Sequence, residues 1–392
     1  MTRLITVYIF KEMAIPFILS VVLLSATILL GNVLKLLELL LTQSAGLVNI
    51  ATLIITMIPS FMIYTLPASF LVSVLIACAR LSSDNEVIAM KASGLSLGAV
   101  IKPVFLMAII IYIATMLVTL YVYPWGNYNY KKTLFKIASQ NAGAAITEKT
   151  FYDKFEGTVL YVNEKSTTSN ELKGLFISKE GDGQSEVVVA ERGRFSSDPE
   201  GLSIILQLKD GVIHRKKQAE NTYHMVGFSG YDLDLGENRG IRRKKKRPNR
   251  ELYLGELIER IHKGRQSPAG PSVKTMIDLQ KRFALPAVVF IFALLGVPLG
   301  LQKVRSAKTT GFGIAIGVLL VYYILTQITE MMGESGVLQP VLAAWGANII
   351  LGLLGLFIFR KTMQEKEIKT LAIISGAGSS IGSLFSRKGG KK

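Results

Sequence analysis

Long apolar runs, nearly free of Asp, Glu, Lys and Arg, alternate along this chain with ordinary polar sequence. A helix needs about 20 such residues to cross the hydrocarbon core of a bilayer. The pattern predicts membrane spans near 13–41, 50–79, 103–125, 283–302, 309–330 and 338–359. Pro59 and Pro67 interrupt the second span, and Pro286 and Pro298 the fourth. Each removes a backbone donor and can kink its helix. Gly296-x-x-x-Gly300 and Gly313-x-x-x-Gly317 permit close helix approach and are read as packing. The first run is too long for the core of a cleaved signal and lacks a small-residue cleavage pattern after it.

Between the third and fourth spans the period changes. Short β-favouring runs at 158–162, 174–177, 186–190, 202–208, 212–215 and 223–228 are divided by turn signals. The signals are Gly181-Asp182-Gly183, Asp198-Pro199-Glu200-Gly201 and Asp210-Gly211. This spacing predicts a sandwich or jelly roll rather than βαβ units. Residues 252–261 follow as a short amphipathic helix, which Ser267-Pro268-Ala269-Gly270-Pro271 breaks. The expected fold class is therefore six transmembrane helices plus an all-β, jelly-roll-like domain between the third and fourth helices. Four segments result: 1–125 with spans one to three, 126–278 with the β domain and its linker, 279–361 with spans four to six, and a basic tail over 362–392.

Charge orients the spans. One set of short loops carries Arg3 and Lys11, Arg80, Lys91 and Lys102, Lys303, Arg305 and Lys308, and Arg360 and Lys361. The opposite set holds no charge over 42–49 and only Glu330 and Glu334 over 330–337. The positive-inside rule places both termini in the cytoplasm and the long segment 126–278 outside. A formal net charge of +17 would suggest nucleic acid in a soluble protein. Here half of the residues are hydrophobic and the mean hydropathy is +0.39, so cytoplasmic loops of a membrane protein explain the excess.

Chemistry-bearing motifs are few. The single Cys78 lies in an apolar run, and His214, His224 and His262 show no ligand spacing, so neither a disulfide framework nor a metal site or cofactor is expected. No G-x-x-x-x-G-K-[ST] is present, so energy for a pump would come from a partner. Gly378-Ser379-Ser380-Ile381-Gly382 matches the hydrolase elbow by pattern alone, with no strand before it, in a basic tail without His. The basic run 242–247 reads as a solvated linker, with lipid headgroup phosphate as the sharper alternative.

Two places stand out. Ser83-Asp84-Asn85-Glu86 fits a capping box, predicting a helix that starts at Asp84, continues through Val87 and Met90, and stops at Gly94. Glu86 then has two compatible roles, capping that helix and meeting a cytoplasmic partner. In the first span Lys35 and Glu38 share one helix face near the outer interface. Lys35 either snorkels to the headgroups or contacts an anionic lipid.

The loop Asn85-Glu86-Val87-Ile88-Ala89-Met90-Lys91-Ala92-Ser93-Gly94-Leu95-Ser96 resembles the coupling helix of the LptF/LptG permeases of the lipopolysaccharide exporter. Leu285-Pro286, Leu295-Gly296-Val297-Pro298-Leu299-Gly300 and Glu334-Ser335-Gly336-Val337-Leu338 also look like signatures of that family, and Gly94-Leu95-Ser96 looks more like LptF than LptG. The resemblance covers nearly the whole chain. It implies a non-catalytic permease of the bacterial inner membrane, paired with LptG (or LptF), with two copies of the ATPase LptB below and LptC as the periplasmic acceptor. Lipopolysaccharide would enter between the first span of one permease and the fifth of the other, and rise to the jelly rolls. By position, Glu86, Val87, Met90 and Gly94 would serve the ATPase contact in a coupling helix over 83–95, and Lys35 a lipid phosphate. No role transfers to 242–247 or to the tail.

Other readings are a membrane-anchored periplasmic scaffold or binding protein, a permease of another ABC exporter class, and an ion-coupled carrier. A scaffold needs neither six spans nor a coupling-like loop. The other ABC exporters with a large outer domain carry it after the first span. Acidic residues are nearly absent from the spans, which disfavours a carrier.

Overall fold

The apolar runs form helices longer than the spans the hydropathy alone marks. In the computed structural model, which describes residues 2–43, 46–142, 148–155, 158–165, 171–181, 184–198, 203–217, 222–234, 247–267, 270–301 and 307–364, α1 is Thr2–Gln43 and α2 is Leu47–Ser83. A short α3, Glu86–Ala92, separates α2 from α4, Gly98–Leu117. Helix α4 passes through a π-helical turn, Val118–Val122, into α5, Tyr123–Ala142. After the β segment come a 3-10 turn, Asn249–Glu251, then α6, Leu254–Arg265, α7, Val273–Gly300, α8, Ala307–Glu334, and α9, Pro340–Met363. Six of these helical stretches are long and apolar enough to cross a membrane: Arg3–Asn32, Leu47–Ser83, Gly98–Ile137, Val273–Gly300, Phe312–Glu334 and Pro340–Met363.

Two compact units result. The first comprises Met1–Val33, Met57–Asn127 and Pro248–Lys392, the second Leu34–Thr56 and Tyr128–Arg247. In the first, α2 and α7 are the central pair. The signature on α7 explains why: a Cβ on Gly296 would meet Val74 Cγ1 at 2.9 Å, and one on Gly300 would meet Cys78 Cβ at 2.6 Å. Only glycine lets these two backbones approach so closely. Phe70, Leu71, Val74 and Leu75 on α2 and Val289 and Phe292 on α7 are fully buried between them. Helix α9 is stapled to α7 by Asn348 Nδ2 donating to Ala284 O at 2.7 Å and Trp345 Nε1 to Gln280 Oε1 at 3.2 Å. The Glu334–Leu338 signature is a turn: Val337 N–H donates to Met332 O, Gly336 N–H to Gly333 O, and Gly336 takes φ +82°. This Schellman arrangement stops α8, and Pro340 then opens α9.

The second unit holds one antiparallel sheet in the order β1-β2-β3-β4-β5-β6, a meander. The strands are β1 Phe151–Phe155, β2 Thr158–Lys165, β3 Glu171–Gly181, β4 Gln184–Asp198, β5 Ser203–Lys217 and β6 Thr222–Asp234. Alternate residues, among them Leu160, Val162, Leu175, Ile177, Val188, Leu206 and Leu208, bury one face of the sheet. The all-β domain between the third and fourth spans is thus present.

Asp210-Gly211 is not a turn, contrary to the sequence pattern. It lies inside β5, with Asp210 at φ +54°. Gly211 is opposite Ala190 and Phe228, and a Cβ there would sit 2.4 Å from Val189 O. The dipeptide kinks a continuous strand that the sequence divides into 202–208 and 212–215. Strand β1 has no counterpart among the runs that the sequence marks, and the third helical run continues to Ala142, 17 residues past the expected end at 125.

Candidate functional site

At the end of the helical unit that carries the N-terminus, α2, α3 and α4 make two sharp reversals. Helix α3 does not begin as a capping box. Helix α2 runs through Ser83, so Ser83 and Asp84 belong to its end rather than to the start of the next helix. The N-cap is Asn85, left-handed at φ 56°, with no side-chain cap bond, and the helix begins at Glu86. Asn is among the few non-glycine residues that take this conformation readily. The stop is as expected: Gly94 at φ +79°, Leu95 N–H on Met90 O at 3.0 Å and Gly94 N–H on Lys91 O at 2.9 Å form a Schellman motif.

Glu86 therefore spends its carboxylate elsewhere. Tyr8 Oη, on α1, donates to Glu86 Oε1 at 2.9 Å. Beside it, Arg80 pairs with Glu12 and lies 3.6 Å from Asp84. Val87 and Met90, three residues apart, turn inward and pack on the core of the bundle. Ile88, Ala89, Lys91 and Ala92 face out, with Ile88 49% exposed. The sequence reading did not connect Tyr8, Glu12 and Arg80 to the loop. Opposite charges gathering at one membrane edge were the available signal.

A second polar place lies within the same unit. A cavity of about 250 Å³ is walled by α2 (Ser60, Tyr64), the π-helical turn (Thr119), Tyr123 and Asn127 of α5, the 3-10 turn, α7 and α8. Its charged lining is Arg250, Lys274, Asp278, Lys281, Arg282 and Glu330. Lys281 Nζ is bound to both Glu330 oxygens, at 2.9 and 2.8 Å. Asn249 is a hub: its Nδ2 donates to Asp278 at 2.7 Å, and its Oδ1 accepts from Arg260 at 2.8 Å. Arg282, buried, donates through Nη2 to the carbonyls of Asn249 at 3.0 Å and Leu252 at 2.5 Å. The chain returning from the β segment is thereby fixed to α7. Pockets for drug-sized ligands run to roughly 300–1,000 Å³, so this space is too small for a glycolipid with several acyl chains.

Lys35 and Glu38 fall within α1, and their side chains lie outside the described residues. Of the basic run, 242–246 lies outside them too, while Arg247 stacks over the Tyr128 ring at 4.9 Å. The tail beyond 364, with Gly378–Gly382, is also outside.

The family described as Lipopolysaccharide export system permease LptF/LptG matches residues 7–361. Lipopolysaccharide export system permease protein LptF of Escherichia coli (strain K12) is 21% identical over 297 residues, 75% of this chain and 77% of its own length. LptF of Shigella flexneri matches equally, and an uncharacterized protein of Rickettsia prowazekii (strain Madrid E) is 22% identical over 298 residues, 75% of this chain and 80% of its own length. A match that runs through every apolar helix and the sheet between them shows that the chain belongs to the LptF/LptG family of lipopolysaccharide export system permeases.

Proposed function

We propose that this chain is the transmembrane permease subunit of an ATP-driven lipopolysaccharide exporter, closer to LptF than to LptG. It sits in the bacterial inner membrane with both termini cytoplasmic and the β unit in the periplasm, as its loop charges favour. It is not an enzyme. Two LptB copies supply ATP hydrolysis, and a related permease completes the transport cavity. Lipopolysaccharide is drawn from the outer leaflet of the inner membrane, moves onto the β unit and passes to LptC toward the outer membrane. The observation that carries this reading is the family match, continuous from the first span to the sixth.

Three features support it. The polar cavity described above is too small for the substrate, in keeping with a chamber shared with a second permease. Burial covers only 11% of the apolar stretch of α1 and 17% of that of α8, leaving the first and fifth spans free to line such a chamber. Helix α3 is held to the bundle by Val87 and Met90, closed by Gly94, and presents Ile88, Lys91 and Ala92 outward, with Glu86 at its edge. A short rigid helix of this kind can take a push from an ATPase and pass it to the core. Lys35 remains the proposed contact for a lipid phosphate.

A tagged chain purified in gentle detergent, with mass spectrometry of proteins and lipids, tests the reading. An ATPase in two copies, a related permease and bound lipopolysaccharide are expected. A folded chain that emerges alone or with unrelated soluble proteins would overturn it in favour of a scaffold.

A further inference from the structure

Helix α1 is the least buried span of the bundle, yet one turn of it is firmly engaged. Ile9 and Met13, four residues apart, are fully buried. On the neighbouring face Tyr8 and Glu12, also four apart, reach across to Glu86 and Arg80. Further along, Phe17 and Val21 pack on the core while only partly buried, the Ser25 to Thr65 contact is long, at 3.4 Å, and Ile15, Ile18, Leu19, Val22 and Leu23 on the other faces are exposed. The helix is thus held most firmly at its N-terminal end, by Ile9, Met13, Tyr8 and Glu12, and by partly buried side chains beyond it.

We propose that Tyr8 is a positioning residue that ties α3 to α1, so that a displacement of α3 reaches α1 through the Tyr8–Glu86 hydrogen bond. The proposal rests on the reading of α3 as the ATPase-docking helix. Along the chain α3 follows α2, and the reversal at Asn85 places Glu86 against α1. The Arg80 pair with Glu12, flanked by Asp84, holds the same turn of α1 against α2 without using Glu86, so the tie can break while α1 stays in register. Tyr8 is 40% exposed, and a hydrogen bond in contact with water is easily exchanged, as a link that re-forms in every cycle must be.

Tyr8→Phe removes the hydroxyl and keeps the ring. The complete exporter, both permeases with the ATPase and the remaining subunits, is reconstituted in proteoliposomes with lipopolysaccharide. The variant is expected to copurify with the ATPase as the parent does, and to release about five-fold less lipopolysaccharide per ATP hydrolysed, the size set by one hydrogen bond. Spin labels at the exposed Leu19 of α1 and Ile110 of α4, in a Cys78→Ser background, give a second readout. Their separation is expected to respond to nucleotide in the parent and not in Tyr8→Phe. Unchanged release per ATP and an unchanged label response would overturn the inference. A Glu86→Ala arm separates the two ideas. If it uncouples release from hydrolysis while Tyr8→Phe does not, the docking helix stands and the role of Tyr8 falls. If neither uncouples, the docking reading falls and the inference with it.

Discussion

Helices α2 and α7 differ from α1 and α8 in burial far more than in apolarity. All four are apolar enough to span a membrane, yet 78% of the apolar stretch of α2 and of α7 is buried, against 11% for α1 and 17% for α8. In lipid, apolarity only places a helix, and close packing decides what it pairs with. The α2–α7 seam is set by Gly296 and Gly300, each without room for a Cβ. The same spacing recurs on α8 at Gly313 and Gly317, where a Cβ would meet nothing within 4 Å. One small-residue pattern is spent inside the chain and the other is left open. The fold thus separates a frame, this tightly packed pair, from two helices that leave most of their apolar surface uncovered within the chain.

The sharpest way to break this contrast is Gly300→Val against Gly313→Val. The first drives side-chain atoms into Cys78 and into the main chain at Leu75, whose carbonyl is 3.1 Å from the added Cβ. Overpacking of this kind costs roughly 3 kcal/mol, and a rigid seam gives little way. Gly313→Val is expected to stay within about 0.5 kcal/mol. Melting of the two variants in detergent, followed by fluorescence size-exclusion, decides. If Gly300→Val melts with the parent, the frame is not where the structure puts it.

Arg282 extends the frame to the returning chain. Arg282→Met strips the carbonyls of Asn249 and Leu252 of a charged donor in a buried place. A loss of about 2–3 kcal/mol is expected, because buried acceptors are left unpaired. Faster proteolysis within 247–267 would report the release of the 3-10 turn and α6. Protection equal to the parent would show that Asn249, through Asp278 and Arg260, suffices.

The spans were legible because a 20-residue apolar requirement is a local property. The Schellman stop at Gly94 was local too, since one glycine carries it; the like stop at Gly336 offered the same signal and was not read. What failed was ambiguous or nonlocal. Ser83-Asp84-Asn85-Glu86 satisfies a capping box only if α2 has already ended, and packing carries α2 through Ser83. The true partner of Glu86 is 78 positions away, at Tyr8. Asp-Gly signals a hairpin or a kinked strand equally well, and the crowding of Gly211 against Val189 and Phe228 is visible only once the strands are paired. The cavity draws on residues from 60 to 330, none of which forms a motif along the chain.

Ion pairs between α7 and α8 test the border between frame and free helix with smaller effects. Lys281–Glu330 is mostly shielded, with side-chain exposures of 21% and 19%, while Lys274–Glu334 is open at 67% and 41%. Lys281→Met leaves a shielded carboxylate alone and is expected to cost about 1–2 kcal/mol, whereas Lys274→Met, at an open surface pair, should melt with the parent. Removing both members, Lys281→Met with Glu330→Met, should recover most of the loss. A double variant as unstable as Lys281→Met alone would mean that Glu330 serves the cavity in some other way.

The smallest effect on folding, and the most telling for function, is expected on the two faces of α3. Ile88 is exposed and Val87 is packed inward, one residue apart on the same helix. Ile88→Ser removes an apolar side chain from the water-facing side and should leave the melting temperature within the error of the parent. Val87→Ser trades core contact for a hydroxyl and should cost about 1 kcal/mol. If the outer face docks an ATPase, the order reverses in a binding measurement: Ile88→Ser weakens capture of the ATPase more than Val87→Ser does, although it is the more stable chain. Equal capture by both variants would move the contact off this helix face and leave Val87 and Met90 with a packing role alone.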